Sequence, residues 1–418
     1  MNETKQAKQA KQHYKHYKKD QRKTKQAKQH YKHYKKDQRK TKRGGEIIDS
    51  GGFGCVFYPA LKCKNKQTRT KGISKLSDKK ESLNEWAIYK KINSILKAIP
   101  NYKKYFLLED ITICEPDKLT DEDLTNFNKC YAVDSNIYNS STINNHLNDF
   151  MIINMPHGGK NLDKIISNDL LSFRDVTMLL KTLVYKAIIP MNKLHIYHFD
   201  IKPSNILYKN NNLKLIDFGL LDFKDDKNSI PKILSLTLIN WNAPFSNILF
   251  NPYIIMSVNL ILKRYSSTKQ RPTLKKLVHY FKIIYQNFDN YHNRKETTLP
   301  KIFNTFYKIK NKQPIDFEKL KVELICNYCS HIIFNFIDFE KYEFDQLKYF
   351  DTIYSKNVDL YGIINCYIPY VLSPHPNFSN HFKSKLIDVI FEYCYNYKYA
   401  IKVIPIEVFF DKLNKISN

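Results

Sequence analysis

Hydrophobic and polar residues follow two different periods along the chain. Between residues 44 and 78, the runs GEIIDSGGFGCVFYPAL and GISKL place short apolar stretches around glycine and polar turns, which is typical of strands. The next segment, KKESLNEWAIYKKINSILKAI, repeats its apolar positions every three to four residues and predicts a helix. Downstream, FMIINM predicts a strand, whereas SFRDVTMLLKTLVYKAIIPMNKLHIYH predicts a long helix. The order predicts an α+β protein in which a small strand-rich part precedes a larger helical part.

The 418 residues divide into three predicted parts. We expect a basic, disordered tail at 1–43, a strand-rich lobe at 44–155 and a helical lobe at 156–418. The helical lobe includes a long helical insertion at about 246–355, which is rich in Lys, Tyr and Phe. Residues 115–147 are polar and rich in Asn, so they predict a surface excursion from the first lobe.

The predicted tail contributes half of the chain's large positive net charge. The formal net charge is +28, and residues 1–43 contribute +14 of it through 17 Lys or Arg and 3 Asp or Glu. The segment QAKQHYKHYKKDQRKTK at 9–25 recurs at 26–42 and lacks the apolar residues that a core needs. Its cations and interleaved Tyr and His fit weak contact with nucleic acid or another anionic surface, whereas the alternative is a duplicated, dispensable tail. The Lys, Asn and Ile content of the rest is typical of an A/T-rich genome.

Cysteine usage and hydropathy restrict the class of protein. No uncharged apolar run approaches the ~18 residues that a membrane span needs, and no secretory leader is evident. Eight cysteines spread over this length do not predict a disulfide framework, so we expect a reducing, intracellular compartment. In CNYCSH, Cys326, Cys329 and His331 are candidate zinc ligands, but no second Cys pair completes a set of four, and buried thiols are the favoured interpretation.

The chemistry is concentrated in YHFDIKPSNILYKNNNLKLIDFGLLDF at 197–223. Polar side chains interrupt the apolar runs of this hairpin, and burying them is costly unless they meet a partner. They are His198, Asp200, Lys202, Asn205 and Asp217. Phosphoryl transfer requires such a set: oxygen ligands for Mg²⁺, a cation beside the phosphates and a carboxylate that orients an alcohol.

A glycine-rich turn precedes this set along the chain. In SGGFGCV, Gly51, Gly52 and Gly54 allow the backbone to approach a bulky anion, although such a cluster can also be only a tight hairpin. Lys75 follows on a predicted strand and Glu85 on the predicted helix, where Ile88 and Ile92 supply the apolar spacing. Their order favours a phosphate-binding element upstream of the polar hairpin.

Together these motifs resemble a eukaryotic-type protein kinase. HFDIKPSN resembles the catalytic loop, DFG at 217–219 the metal-binding motif, SGGFGCV the glycine-rich loop and INMPHGG the hinge. The resemblance implies a bilobal fold with a small β-rich and a large helical lobe, and ATP and Mg²⁺ as cofactors. It implies that Asp200 and Lys202 act in catalysis and that Asn205 and Asp217 bind the metal. Gly51, Gly52, Gly54, Val56, Lys75, Glu85 and Leu207 would bind the nucleotide, with Val56 and Leu207 on either side of adenine.

Lys202, two residues after Asp200, resembles the pattern of Ser/Thr kinases and implies a protein substrate with a Ser or Thr acceptor. The divergence of the motifs and the Lys-, Asn- and Ile-rich composition resemble the kinases of large DNA viruses (mimivirus-like). Such an origin would place the protein in the host cytoplasm or the virion.

Four departures from the family pattern bear on activity. Asp49 replaces the first loop glycine, and Phe199 replaces the arginine that commonly holds a phosphorylated activation loop. Phe245 in NAPF replaces a glutamate whose arginine partner is also missing, because no arginine follows Arg294. Asp359, which should brace the catalytic loop, comes roughly 110 residues after this motif. Asp49 and Phe199 motivate the alternative of a catalytically impaired scaffold. A kinase tethered to nucleic acid by its basic tail is a further alternative that is compatible with activity.

Overall fold

The structure is a computed structural model. It describes residues 45–51, 54–66, 71–133, 138–224, 226–236, 239–292, 298–310 and 316–416. The predictions for the tail at 1–43 and for Gly52 lie outside the described residues. Contacts divide the described chain into a first unit, which runs to Ser82 and includes Thr112–Asn154, and a second unit of Leu83–Ile111 and Met155 onward.

A five-stranded sheet forms the first unit, with strand order β1-β2-β3-β5-β4. The strands are β1 (Glu46–Gly51), β2 (Gly54–Tyr58), β3 (Ile73–Asp78), β4 (Thr112–Cys114) and β5 (Phe150–Met155). Alternate residues of β2, such as Cys55 and Phe57, are fully buried, as expected for strands with one face on a core. The polar excursion after β4 includes a short helix α2 (Asp121–Leu124) and contributes Leu119, Phe127 and Ile143 to the same core. It is therefore packed on the sheet rather than solvated throughout.

Two disulfides tie this excursion and its neighbouring loops to the sheet. Cys55 on β2 is bonded to Cys130, and Cys63 is bonded to Cys114 on β4. The expectation that the cysteines form no disulfides was wrong for these four residues. The partners are 75 and 51 residues apart in sequence, so spacing alone could not indicate the pairing. The remaining cysteines are free and buried: Cys326, Cys329, Cys366 and Cys394.

Loss of the Cys55–Cys130 bond should destabilise the first unit. A cross-link over a loop of this length restricts the unfolded chain and typically contributes about 2–4 kcal/mol. We expect Cys130→Ala to lower the unfolding free energy by that amount in the absence of a reductant. The difference between variant and wild type should largely vanish in a strong reductant. Alkylation in denaturant should label four thiols before reduction and eight after it; labelling of all eight without reduction would contradict the pairing.

Helices dominate the second unit. The helix α1 (Lys79–Leu96) begins in the first unit, but most of its residues belong to the second. The others are α3 (Leu162–Ser167), α4 (Phe173–Leu183), α5 (Ile189–Lys193), α6 (Pro252–Lys263), α7 (Leu274–His292), α8 (Thr298–Ile309), α9 (Phe317–Asn335), α10 (Gln346–Tyr349), α11 (Ser355–Asn365), α12 (Ile368–Leu372), α13 (Asn380–Ile390) and α14 (Ile406–Ile416). The predicted order of a strand-rich part before a helical part is confirmed. The predicted boundary at residues 155 and 156 stays a prediction.

Short strands in the second unit hold the polar hairpin. β8 (Ile206–Lys209) pairs with β9 (Asn212–Leu215) and β6 (Lys160–Asn161), all antiparallel. β7 (Ile196–Tyr197) pairs with β10 (Asp222–Phe223) on the other side of the loop that contains Asp200. Asn210 and Asn211 occupy the turn with positive φ, a conformation that Asn tolerates well. The loop between β7 and β8 is thus fixed at both ends by pairing.

The predicted insertion is largely helical and part of the core. It contains α6, α7, α8, α9 and α10, and one small hairpin of β11 (Ile337–Asp338) and β12 (Glu343–Phe344). On α9, Ile325, Tyr328 and Cys329 are buried. The Phe245 ring lies 5.7 Å from the ring of Tyr328, and Phe245 is 1% exposed. The position of the missing glutamate is therefore filled by apolar packing against the insertion.

The candidate zinc ligands do not form a site. Cys326 and Cys329 are buried on α9, and burial raises the pKa of both thiols. The His331 ring stacks on Tyr397 at 3.8 Å, and its Nδ1 lies 2.8 Å from the Asn327 carbonyl oxygen. Among the described residues, no group of three or more His, Cys, Asp or Glu side chains is arranged to hold a metal. The interpretation as buried thiols is confirmed. In the same part of the chain, no helix combines the length and apolarity that crossing a membrane requires.

Candidate active site

Three nitrogen donors converge on the carboxylate of Asp200, which is 6% exposed. Oδ2 accepts hydrogen bonds from Lys202 Nζ at 2.7 Å and from Asn205 Nδ2 at 2.9 Å. Oδ1 accepts a hydrogen bond from Asn242 Nδ2 at 2.8 Å. The loop therefore brings three of the predicted site residues together, and the carboxylate is held from both oxygens. Such charge-assisted bonds are short and directional, and they fix the plane of the group.

Asn205 and Asp217 offer oxygen atoms from two backbone segments that a hydrogen bond joins. Asn205 donates both amide hydrogens to Asp200, to its carbonyl oxygen and to Oδ2, each at 2.9 Å. No described residue donates to Asn205 Oδ1, so this oxygen is available to a ligand. The Ile216 N–H donates to the Asn205 carbonyl at 3.0 Å, which places the exposed Asp217 one residue from that bond. A carboxylate and a carboxamide oxygen are donors that Mg²⁺ prefers, so the residues present fit that ion.

Phe218 anchors the segment that carries Asp217. Its side chain is 1% exposed and packs edge-on against Tyr89 of α1, with ring centroids 5.8 Å apart. It also contacts the tilted ring of His198 at 5.4 Å. The Tyr89 hydroxyl donates to Glu85 at 3.0 Å. Burial raises the pKa of Tyr89 well above its usual value, and the charges of Glu85 and Asp217 act in the same direction. Tyr89 therefore stays a neutral donor that orients the Glu85 carboxylate.

Asp359 braces the loop that contains Asp200 by accepting hydrogen bonds from its backbone, as the sequence predicts. Its Oδ1 accepts from the Phe199 N–H at 3.1 Å, and its Oδ2 accepts from the His198 N–H at 3.1 Å and from Asn192 Nδ2 at 2.7 Å. The residue is 1% exposed. Burial raises the pKa of the carboxyl group, whereas His198 and the three donors act in the opposite direction. Phe199 has a φ of 59°, an unfavourable conformation for an aromatic residue that this brace helps to maintain.

Close packing between α11 and the loop depends on one glycine. A Cβ at Gly362 would lie 2.5 Å from the Ile201 carbonyl oxygen, closer than any real Cβ contact. The side chain that follows Asp200 is thus held against the helix that carries Asp359. The loop and α11 are consequently joined both by this packing and by the hydrogen bonds of Asp359.

The predicted hinge contacts the predicted adenine residue of the second unit. A Cβ at Gly158 would lie 2.3 Å from Leu207 Cδ1, so glycine leaves room for that side chain. Gly159 has a φ of 111° and directs the chain into β6. Leu207 is 9% exposed on β8, beside the hinge. The pair forms an apolar surface of the kind that a planar base contacts.

The first unit carries the other predicted nucleotide residues on neighbouring strands. Gly51 and Gly54 pair across the turn between β1 and β2, and Val56 pairs with Lys75 across β2 and β3. A Cβ at Gly54 would lie 2.6 Å from the Leu76 carbonyl oxygen. The exposed Asp49 carboxylate accepts from the Ser50 N–H at 2.9 Å, so a neighbouring backbone group occupies it. Gly51, Gly54, Val56 and Lys75 thus lie along one end of this sheet.

The comparisons with known proteins identify the fold. Residues 43–244, just under half of the chain, match the protein kinase domain family. This region is similar to a protein kinase domain. Over 130 residues the sequence is 28% identical to a protein of Dictyostelium discoideum named "Probable serine/threonine-protein kinase pXi". That region covers 29% of this chain and 17% of the relative, so the chain spans about a sixth of the relative's length.

Helical residues beyond the matched region hold the predicted catalytic loop. The match ends at residue 244, yet Asp359 and Gly362 on α11 hold the loop that contains Asp200. The sequence prediction anticipated Asp359 from the motif VDLYG. It missed Asn242, because a single Asn before an Ala-Pro pair carries no pattern that indicates a contact with Asp200. The small β-sheet region followed by a mainly helical region with a helical insertion is the expected bilobal kinase fold.

Proposed function

We propose that this kinase domain transfers the terminal phosphoryl group of ATP to Ser or Thr hydroxyls of a protein substrate, with Mg²⁺ as cofactor. The observation that carries the proposal is the direct hydrogen bonding of Asp200 to Lys202 and Asn205, with Asp217 one residue from the backbone bond to Asn205. The family match supports phosphorylation of protein. The match to a probable Ser/Thr kinase and the presence of Lys202 support the choice of acceptor.

Each side chain has a role that its environment suits. Asp200 accepts a hydrogen bond from the acceptor hydroxyl and orients its oxygen for in-line attack. Lys202 is a partly exposed cation beside Asp200 and can neutralise charge on the transferred group. Asn205 and Asp217 would hold Mg²⁺, which supplies positive charge between the phosphates when bound. Lys75 would bind the phosphates and Glu85 would orient Lys75; these two roles rest on the family pattern.

A labelling assay tests the reaction and the acceptor. The full chain is incubated with Mg²⁺, ATP labelled at the terminal phosphate and a panel of acidic and basic proteins. We expect Mg²⁺-dependent incorporation that acid hydrolysis assigns to phosphoserine or phosphothreonine. Label found only on phosphotyrosine would contradict the choice of acceptor. Absence of label from every protein, including the chain itself, would contradict the activity.

The impaired scaffold is the competing proposal, motivated by Asp49 and Phe199. A nucleotide that binds the folded state stabilises it by about 2.7 kcal/mol at a concentration one hundred times its dissociation constant. An active kinase should therefore melt several degrees higher with Mg²⁺ and ATP than with either alone. An unchanged melting temperature under all three conditions would favour the scaffold. The bond from Ser50 to the Asp49 carboxylate supports the active form, because it partly satisfies that charge.

The basic tail supports a further contact with an anionic partner. Residues 1–43 carry a net charge of +14 with Tyr and His between the cations, which suits nucleic acid or another anionic surface. The contact, an intracellular location and an origin among large DNA viruses remain predictions. The composition supports the origin, whereas the disulfides remove the cysteine argument for a reducing compartment.

A further inference from the structure

Asn242 is buried against Asp200 although it lies outside the polar hairpin. It is 2% exposed and precedes the Ala243-Pro244 pair. Its Nδ2 donates to Asp200 Oδ1 at 2.8 Å and to the Ile201 carbonyl oxygen at 3.2 Å. Both hydrogens of the amide are therefore used on acceptors of the same loop. Since both neighbours are acceptors, the amide nitrogen rather than the oxygen must face them.

The amide oxygen of Asn242 indicates that the contact with Asp200 does not serve stability alone. Asn242 Oδ1 is buried, and no described residue donates a hydrogen bond to it. A buried polar atom without a partner is unfavourable, and most positions in a protein core avoid it. An apolar side chain of similar volume would not have this unpaired oxygen. The contact with Asp200 therefore calls for a functional explanation.

Counting lone pairs assigns different roles to the two oxygens of Asp200. Each carboxylate oxygen can accept about two hydrogen bonds. Oδ2 accepts from Lys202 and Asn205, so both of its positions are used. Oδ1 accepts only from Asn242 among the described residues, so one position remains. The incoming hydroxyl can therefore bind at Oδ1, the oxygen that Asn242 holds.

We propose that Asn242 is a positioning residue that fixes Asp200 Oδ1 toward the acceptor hydroxyl. The proposal rests on the proposed kinase function. The insertion in turn holds the segment that carries Asn242. Phe245, three residues after Asn242, packs against Tyr328 of α9. Without the amide, Oδ1 loses its only described donor, and rotation about the Cβ–Cγ bond can turn it away from the hydroxyl. The proposal gives the insertion a link to the chemistry of the site.

Steady-state kinetics of Asn242→Leu in the full chain test this role. Leucine has a similar volume and no donor, so we expect kcat to fall by about 10- to 100-fold, as for loss of a hydrogen bond to a charged group. KM for ATP should stay within about twofold, because Asn242 does not contact the nucleotide residues. The melting shift with Mg²⁺ and ATP should persist. Asn242→Asp, which places an acceptor against Oδ1, should lose at least as much kcat.

A control and a second genetic background separate positioning from folding. Asn365 is also fully buried and hydrogen-bonded, but it contacts Tyr361 and Tyr395, so Asn365→Leu should lower the melting temperature and leave kcat nearly unchanged. If Asn242 acts only through Asp200, Asn242→Leu should not lower the residual transfer of Asp200→Asn any further. An additional 10-fold loss in that background would overturn the proposal.

The outcomes distinguish this inference from the function on which it rests. If Asp200→Asn is inactive but Asn242→Leu keeps kcat within twofold, only the role of Asn242 is overturned. A parallel rise in KM for ATP, or loss of the melting shift, would also overturn it. If the wild type transfers no phosphate, or Asp200→Asn transfers it normally, the proposed function fails and this inference fails with it.

Discussion

Asp200→Asn is expected to abolish phosphate transfer while leaving the protein folded. An amide cannot accept the proton of the attacking hydroxyl, and loss of a positioned acid–base group typically costs 10²- to 10⁴-fold in rate. The fold should tolerate the change, because the introduced amide has the same shape. We expect labelling of a Ser/Thr substrate to fall by at least about 10²-fold.

The matched control for this substitution is Asp388→Asn. Asp388 is a largely exposed carboxylate on α13 that pairs with Lys310. This change should leave both the transfer rate and the melting temperature close to wild type, since exposed ion pairs contribute little. The melting temperature of Asp200→Asn should also stay within about 3 °C of wild type. Transfer by Asp200→Asn at the wild-type rate would show that another group serves the reaction.

Asp359→Leu is expected to lower both stability and activity. The change leaves the N–H groups of His198 and Phe199 buried without their acceptor, and each unpaired group costs about 1–3 kcal/mol. We expect the unfolding free energy of the second unit to fall by about 2–5 kcal/mol in urea titrations. Because the loop then loses its brace, kcat should fall even in the fraction that remains folded.

Asp411→Asn on α14 is the control for Asp359→Leu, because the Asp411 side chain is exposed. Asp359→Asn is an informative intermediate. Its amide oxygen can accept one of the two backbone N–H groups, but its nitrogen would face another donor. We expect it to lie between wild type and Asp359→Leu in both measurements. An unfolding free energy of Asp359→Leu equal to that of wild type would contradict the bracing role.

The parts that sequence patterns predicted are those that depend on local order. The glycine turn, the strand with Lys75 and the helix with Glu85 each carry their own hydrophobic period, and the structure has β1, β2, β3 and α1 in that order. The hairpin that follows Asp200 was likewise visible as two short apolar runs around an Asn-rich turn. The contacts of Asp200 with Lys202 and Asn205 follow from spacing of two and five residues, so little tertiary information was needed.

The parts that were missed depend on distant pairing. Cys55 and Cys130 meet because the polar excursion folds back on the sheet, and no local pattern encodes that return. Asn242 meets Asp200 across 42 positions of sequence, and its neighbours give no sign of the contact. The sequence shows that Phe245 replaces the family's glutamate, but it does not indicate that this ring packs against Tyr328. In each case a packed surface, rather than a periodic sequence, determines the contact.

The burial of the helix α9 has a consequence for any attempt to shorten this chain. Phe245 and Tyr395 lie outside residues 246–355 and pack against Tyr328 and Phe303 within that segment. A shorter chain from which residues 246–355 were excised would expose these two aromatic rings to water. The helices of this segment and the residues that they cover therefore depend on each other, and deleting the segment should destabilise the second unit.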